Sequence, residues 1–438
     1  MRKPVLLCMA VILFAAVIPA GCYDRREVDD MAHVAAIGFD RGVSERLRLT
    51  LQIVSFKGGA GGGGAAGGSS GGDGGGGDRE LGMVGSTMVV TVDGPSFFTG
   101  LNLANAATAR ELNLNHAKLL IFSEELARSG EIDKVIAPLK RYREIRETME
   151  FVVSRSKAED FIKENKNLIG RDPAKSMELI RKQPEYTGFF PRVSLHNFYN
   201  NLKSNMQQPV AVLAGVNSLK NLKEAGPGEL PESVGGAGFL AGQMPRQGGP
   251  KRERFGVAVF NGAKMVGELT GQEARTLQMV TGDFRRGFFT IQDPLAPDRV
   301  VPLDVRPARS PRIGVSFEGK TPVIDVRIRL EGDVLAIQSG INYESPELKP
   351  VLEQAFEAEV KNGIDSLIAR CQNEFKADIF GFGRSAVYHF PTIEEWERYR
   401  WLEKFPGARI STQVDFVIRR TGMMLKTSPA PSAGGGGE

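Results

Sequence analysis

Apolar residues recur along this chain with two periods, and the switches between them mark out its elements. Leu47, Leu49, Leu51 and Ile53 alternate with polar neighbours, the period of a half-buried strand. An apolar stretch at 34–40 precedes them, so Asp40-Arg41-Gly42 predicts a hairpin turn. Residues 83–92 read as a strand, 96–112 as a helix and 117–122 as a short buried strand. A helix from Ser123 follows, ended by Gly130. Helical spacing returns over 132–142 and 157–165, on either side of a strand at 148–153. Strands alternating with helices predict a mixed α/β domain ending near residue 190.

From about 200 to 253 the periodic pattern weakens; only 210–216 reads as a strand, and 227–250 reads as loop or linker. Order resumes at 255–260, turns at Asn261-Gly262 and returns over 264–269. A helix at 272–280 and a strand near 288–291 follow. Ile313, Val315 and Phe317, then Ile324, Val326, Ile328 and Leu330, predict paired strands around Glu318-Gly319-Lys320. Ser345-Pro346 opens the longest predicted helix, to about Phe380, with Leu352, Phe356, Ile364, Leu367, Cys371 and Phe375 on its apolar stripe. Thr392 and Glu395 make a capping box for a helix through Glu403, and 410–418 is a closing strand.

The expected fold class is α+β or mixed α/β, multidomain, each domain a sheet flanked by helices. The expected limits are 22–190 for an N-terminal mixed α/β domain, 191–253 for a middle region, 254–424 for a C-terminal α/β domain and 425–438 for a disordered tail. Within the first domain, 57–79 is nearly all Gly, Ala, Ser and Asp; with nothing to bury, it reads as a flexible surface loop.

The first residues change the compartment. Arg2 and Lys3 precede an apolar run at 5–18, shorter than the roughly 20 residues that span a bilayer. Ala20 and Gly21 then stand directly before Cys22. Small residues followed by a Cys mark a lipoprotein signal peptide over 1–21, with Cys22 acylated and left as the new N-terminus. Two acyl chains, at about 0.8 kcal/mol per buried methylene, anchor stably where one does not. Pro19 departs from the usual Leu of such sites.

Charge and cysteine usage narrow the function. The formal net charge is +4, of which Arg2 and Lys3 account for half, and no basic stripe interleaves with aromatics; nucleic acid is not an expected partner. Cys8 leaves with the leader and Cys22 takes lipid, so Cys371 alone remains and no internal disulfide is expected. Residues 314–321 match the P-loop expression, but Pro322 and an alternating pattern follow where a helix N-terminus is required. Residues 381–386 match a loose dinucleotide fingerprint after a helix rather than a strand, which is the wrong order. His33, His116, His196 and His389 stand isolated in sequence, so no metal site is expected. Cys371 reads as core filling, and Glu394-Glu395 as dipole-favoured acids opening a helix. No catalytic residues, cofactor site or metal site are assigned, and an enzyme is not expected.

Several blocks in order resemble the Ger(x)C family of spore germination lipoproteins. They are Gly21-Cys22-Tyr23-Asp24-Arg25-Arg26-Glu27 with Ile37-Gly38-Phe39-Asp40, His116-Ala117-Lys118 with 122–127, Val257-Ala258-Val259-Phe260 with 264–269, 371–383, and 414–422. Tyr23 stands where the family usually has Trp, and 57–79 reads as an insertion. The resemblance implies mixed α/β domains and no catalysis. It implies a germinant-receptor subunit held by lipid on Cys22 to the outer face of the spore's inner membrane, beside integral membrane A- and B-type subunits. The other reading weighed is a solute-binding lipoprotein of a transporter, which needs two lobes closing on a pocket.

Overall fold

The computed structural model describes residues 31–54, 87–165, 179–220, 222 and 236–421. The leader, Cys22, the Gly-rich stretch 57–79 and the tail 425–438 lie outside the described residues.

A nine-stranded sheet takes most of the chain's first two thirds. Its strands are β1 (Met31–Arg41), β2 (Leu47–Val54), β3 (Thr87–Gly94), β4 (Glu111–Asn113), β5 (Leu119–Ser123), β6 (Glu150–Ser154), β7 (Val210–Val216), β8 (Arg252–Asn261) and β9 (Lys264–Leu269). The order is β3-β2-β1-β5-β6-β7-β8-β9, with β4 added to the start of β1. β1, β5, β6 and β7 run parallel, and the hairpins at either side are antiparallel. Every residue of β5 and β6 is buried, as a parallel strand covered on both faces requires.

The helices that cover this sheet are α1 (Phe97–Ala106), α2 (Glu124–Arg128), α3 (Ile132–Arg141), α4 (Ala158–Lys163), α5 (Pro184–Thr187) and α6 (Leu195–Leu202). α4 lies so close to β1 that a Cβ on Gly38 would come 2.7 Å from Ile162 and 3.1 Å from Ala158. The buried Asp40 carboxylate accepts from the N–H groups of Ala158 and Glu159 at 2.8 and 3.0 Å, so the strand end caps the helix packed on it. The predicted helix 96–112 stops at Ala106, because 111–113 is taken up by pairing with β1. α6, capped by Ser194, had no counterpart in the sequence reading.

The second sheet has four strands: β10 (Gly287–Gln292), β11 (Val300–Glu318), β12 (Thr321–Val334) and β13 (Arg409–Arg420). β11 and β12 meet at Gly319, φ +64°, which settles the P-loop lookalike as the expected hairpin. β13 returns parallel to β12. α7 (Gly271–Thr281), held by a Thr270/Glu273 capping box, and α8 (Lys349–Arg370) cover one face. Leu352, Phe356, Ile364 and Leu367 of α8 are buried there. The opposite face carries the alternate residues, including Asp325, Arg327 and Arg329, and is exposed.

The predicted helix 345–380 is shorter at both ends. The apolar stripe continues through Cys371 and Phe375, but these lie on a single π turn, and Lys376 at φ +50° ends it. The predicted helix 392–403 breaks at Arg400, φ +57°, into α10 (Ile393–Tyr399) and α11 (Trp401–Lys404); a short α9 (Gly383–Ala386) precedes them.

β8 joins the two halves. Phe255, Ala258 and Phe260 belong to the first hydrophobic core, Val257 and Val259 to the second. A division at 254 therefore runs through a strand of the first sheet, and the middle region contributes β7 next to it. Periodicity identifies a strand but not its neighbour.

Candidate functional site

Cys22, the one predicted site residue, lies outside the described residues. The chain enters them at Met31, where β1 starts beside Glu111 of β4. Nine residues separate Cys22 from Met31, a step of at most about 30 Å. Any group on Cys22 is therefore held close to this end of the nine-stranded sheet.

Two of the four histidines are not isolated in space. Because β4 pairs with β1, His33 and His116 meet edge to face with ring centroids 4.9 Å apart. Burial first, and His116 second, hold His33 below its ordinary pKa. No group of three or more His, Cys, Asp or Glu that could hold a metal occurs among the described residues. Burial pushes the Cys371 thiol far up, fitting the core role read from its place on the stripe.

The densest polar construction lies where 371–383 meets the first sheet. Asp378 is fully buried. Its Oδ1 accepts from the N–H groups of Phe380, Gly381 and Phe382 at 3.1, 2.9 and 3.3 Å. Its Oδ2 accepts from Gly383 N–H at 3.0 Å and Trp401 Nε1 at 2.9 Å. Burial raises its pKa, and those donors oppose the rise. The backbone carbonyl of Asp378 accepts from Gln208 N–H at 2.7 Å, and Gln208 Oε1 accepts from Gly262 N–H at 2.7 Å. Asn261 donates to the Lys376 carbonyl at 3.1 Å, and Trp396 Nε1 donates to Asn205 Oδ1 at 2.9 Å. Gly383 has no room for a Cβ, which would sit 2.6 Å from Trp401 Nε1. A carboxylate engaged by five donors has little capacity left for proton transfer; it fastens the C-terminal motif onto the loop before β7 and the β8–β9 turn. The helix stripe hid this lock from sequence reading, although an Asp shortly before Gly-Phe-Gly is a recognisable turn-forming pattern.

Two surface features remain. A cleft of about 430 Å³ is lined by Glu147, Glu150, Arg181, Arg192, Ser194 and His196, among others. On the bare face of the second sheet, Arg312 stands opposite Arg327 and Arg309 opposite Arg329. Acids answer part of that charge: Arg329 meets Asp415 at 3.2 Å, and Glu331 receives both Arg306 and Arg419 at 2.9 Å.

Comparison with known proteins gives two family matches in sequence order. Residues 24–216 match the spore germination protein N-terminal domain, and 255–422 match the C-terminal domain described as spore germination B3/GerAC like. Spore germination protein KC of Bacillus subtilis (strain 168) is 26% identical over 432 residues, 97% of each chain. Spore germination protein GerQC of Bacillus cereus is 19% identical over 413 residues, 94% of this chain and 98% of its own. The crystal structure of the GerBC protein superposes with a TM-score of 0.51 at 14% identity, over 87% of this chain and 96% of that one, and so shares the fold. With both halves matched in order and whole-length relatives on either side, the chain belongs to the Ger(x)C family of spore germination proteins.

Proposed function

We propose that this chain is the C-type subunit of a spore germinant receptor, held by lipid on Cys22 and acting without catalysis beside integral membrane A- and B-type subunits. The observation that carries the reading is similarity to spore germination proteins over nearly the whole length, in both halves and in order. Two physical points support it. No helix among the described residues is long and apolar enough to cross a membrane, so residence there calls for another anchor. Tethering within about 30 Å of β1 raises the folded part's effective concentration at neighbouring membrane proteins. The solute-binding alternative fits less well, because two closing lobes require a hinge, whereas β8 is a wall of both cores here.

The test is expression of wild-type and Cys22→Ala chains in sporulating cells, with fractionation and affinity purification from spore membranes. The wild type should partition with the membrane and bring polytopic proteins with it; Cys22→Ala should do neither. Unchanged membrane retention of Cys22→Ala would overturn the anchor, and recovery of the wild type without any polytopic protein would overturn the receptor role.

A further inference from the structure

β8 carries two arginines whose positive charge is incompletely answered. Arg254, its side chain 5% exposed, meets Glu150, 7% exposed, at 3.2 Å. Arg252, two residues earlier on the same strand, feels the same Glu150 and no other acid. Burial first, and the Arg254 guanidinium second, bring Arg252 down to about 10. Arg252 Nη1 and Arg254 Nε are both sealed from solvent and meet no acceptor.

The neighbouring acids are already committed. Glu253 accepts from Arg246 Nε at 2.7 Å and from Gly242 N–H at 2.7 Å, and Asn217 donates to it as well. Glu147 is held by Lys140 and by His196 Nδ1, and Glu185 by Arg192 at 2.7 Å. Glu150 is thus one carboxylate facing two buried guanidiniums, an arrangement that costs several kcal/mol unless a further anion joins it. Arg275, on α7, makes the contrast. It too is buried, but its Nε and Nη1 donate to the carbonyls of Thr187 and Phe288 at 2.7 and 2.9 Å, and it lies 3.9 Å from the Phe189 ring centroid.

Glu150 also lines the 430 Å³ cleft, where Arg181, Arg192, Ser194 and Asn197 present further donors. A path from solvent to the buried pair therefore begins among cations and hydrogen-bond donors. We infer that this cleft binds a small oxyanion, of carboxylate or phosphate type, which shares Arg252 and Arg254 with Glu150 and is met at the mouth by Arg181. Bidentate guanidinium contacts suit both anions. The proposal concerns ligand binding by the folded chain and stands apart from the receptor assignment.

The full chain is followed by calorimetric melting in sodium phosphate, sodium acetate and sodium chloride at matched ionic strength. Phosphate, acetate or both should raise Tm above chloride in a saturable way, since a ligand of the native state stabilises by mass action. Arg252→Met should abolish that rise and, in chloride, melt higher than wild type, because it removes a buried cation with half a counterion. Arg181→Ala should leave Tm in chloride unchanged and require roughly tenfold more anion for the same rise. Equal Tm in all three salts would overturn the site. So would an Arg252→Met chain that melts lower in chloride and keeps the anion response, for Glu150 would then satisfy both arginines by itself.

Discussion

The two sheets solve the same packing problem differently. The larger one is covered on both faces, and its inner strands β5 and β6 are buried throughout. The smaller one is covered on one face by α7 and α8, while the other face keeps a strict alternation that ends in charge. Even its edge receives attention from the covering side. Glu357 and Glu353, one turn apart on α8, accept from the N–H groups of Phe416 and Ile418 on β13 at 2.7 and 2.8 Å. Two carboxylates thus occupy donors that would otherwise invite another strand. The first sheet is a sealed interior; the second is a half-open plate whose exposed side and edge are managed by charge.

The severest way to break this comparison is at the lock that holds the plate to the sealed sheet. Asp378→Ala should destabilise the chain by about 3–5 kcal/mol, since five donors lose a buried acceptor. Urea unfolding followed by tryptophan fluorescence reads it directly, because Trp401 donates to Asp378. A loss below about 1 kcal/mol would mean the halves are fastened elsewhere.

A smaller effect lies in the cover of the plate. Burial pushes Glu359 of α8 up to about 7 from its ordinary 4.5. The folded chain therefore holds this proton more tightly than the unfolded one, and the penalty for ionising it is absent below the unfolded value and complete above the folded one. Stability from this group should fall as pH rises from 5 to 8, on the order of 2 kcal/mol after allowing for partial exposure, and Glu359→Gln should flatten the profile. A wild-type and variant pair with parallel pH profiles would remove Glu359 from the account.

Next comes the edge. Glu353→Leu combined with Glu357→Leu should cost about 1–2 kcal/mol and, more tellingly, make the chain associate with increasing concentration in light scattering. The mildest change is on the bare face. Arg327→Glu replaces a like-charge cross-strand pair with Arg312 by an opposite one and should stabilise by about 0.5 kcal/mol, an effect that fades with added salt.

The plate was the more legible half. Ile324, Val326, Ile328 and Leu330 alternate because only one side is buried, and Gly319 announces the hairpin. In the sealed sheet β5 and β7 are recognisable as strands from their apolar runs, but nothing in such a run says which strand lies beside it. That is why 210–216 was read as part of a middle region and 255–269 as the start of another domain. The helix through Phe375 was overextended for a related reason: the stripe persists after the helix stops, and what stops it is the left-handed Lys376 and the long-range pull of Asp378. Neither the lock nor the buried Arg252–Glu150–Arg254 cluster leaves a local trace, because each joins residues that are far apart along the chain.

The shared strand β8 has a consequence for how the protein is made and handled. The family's N-terminal match stops at residue 216, yet the sheet it contains gains its last two strands only with residues 252–269. A fragment cut between them would carry β7 as a raw, apolar border and should be insoluble, while one cut after 269 would leave Val257 and Val259 uncovered instead. No clean cut therefore exists between the halves. Pressure applied to either core displaces a wall of the other, so a disturbance on one side is mechanically felt on both.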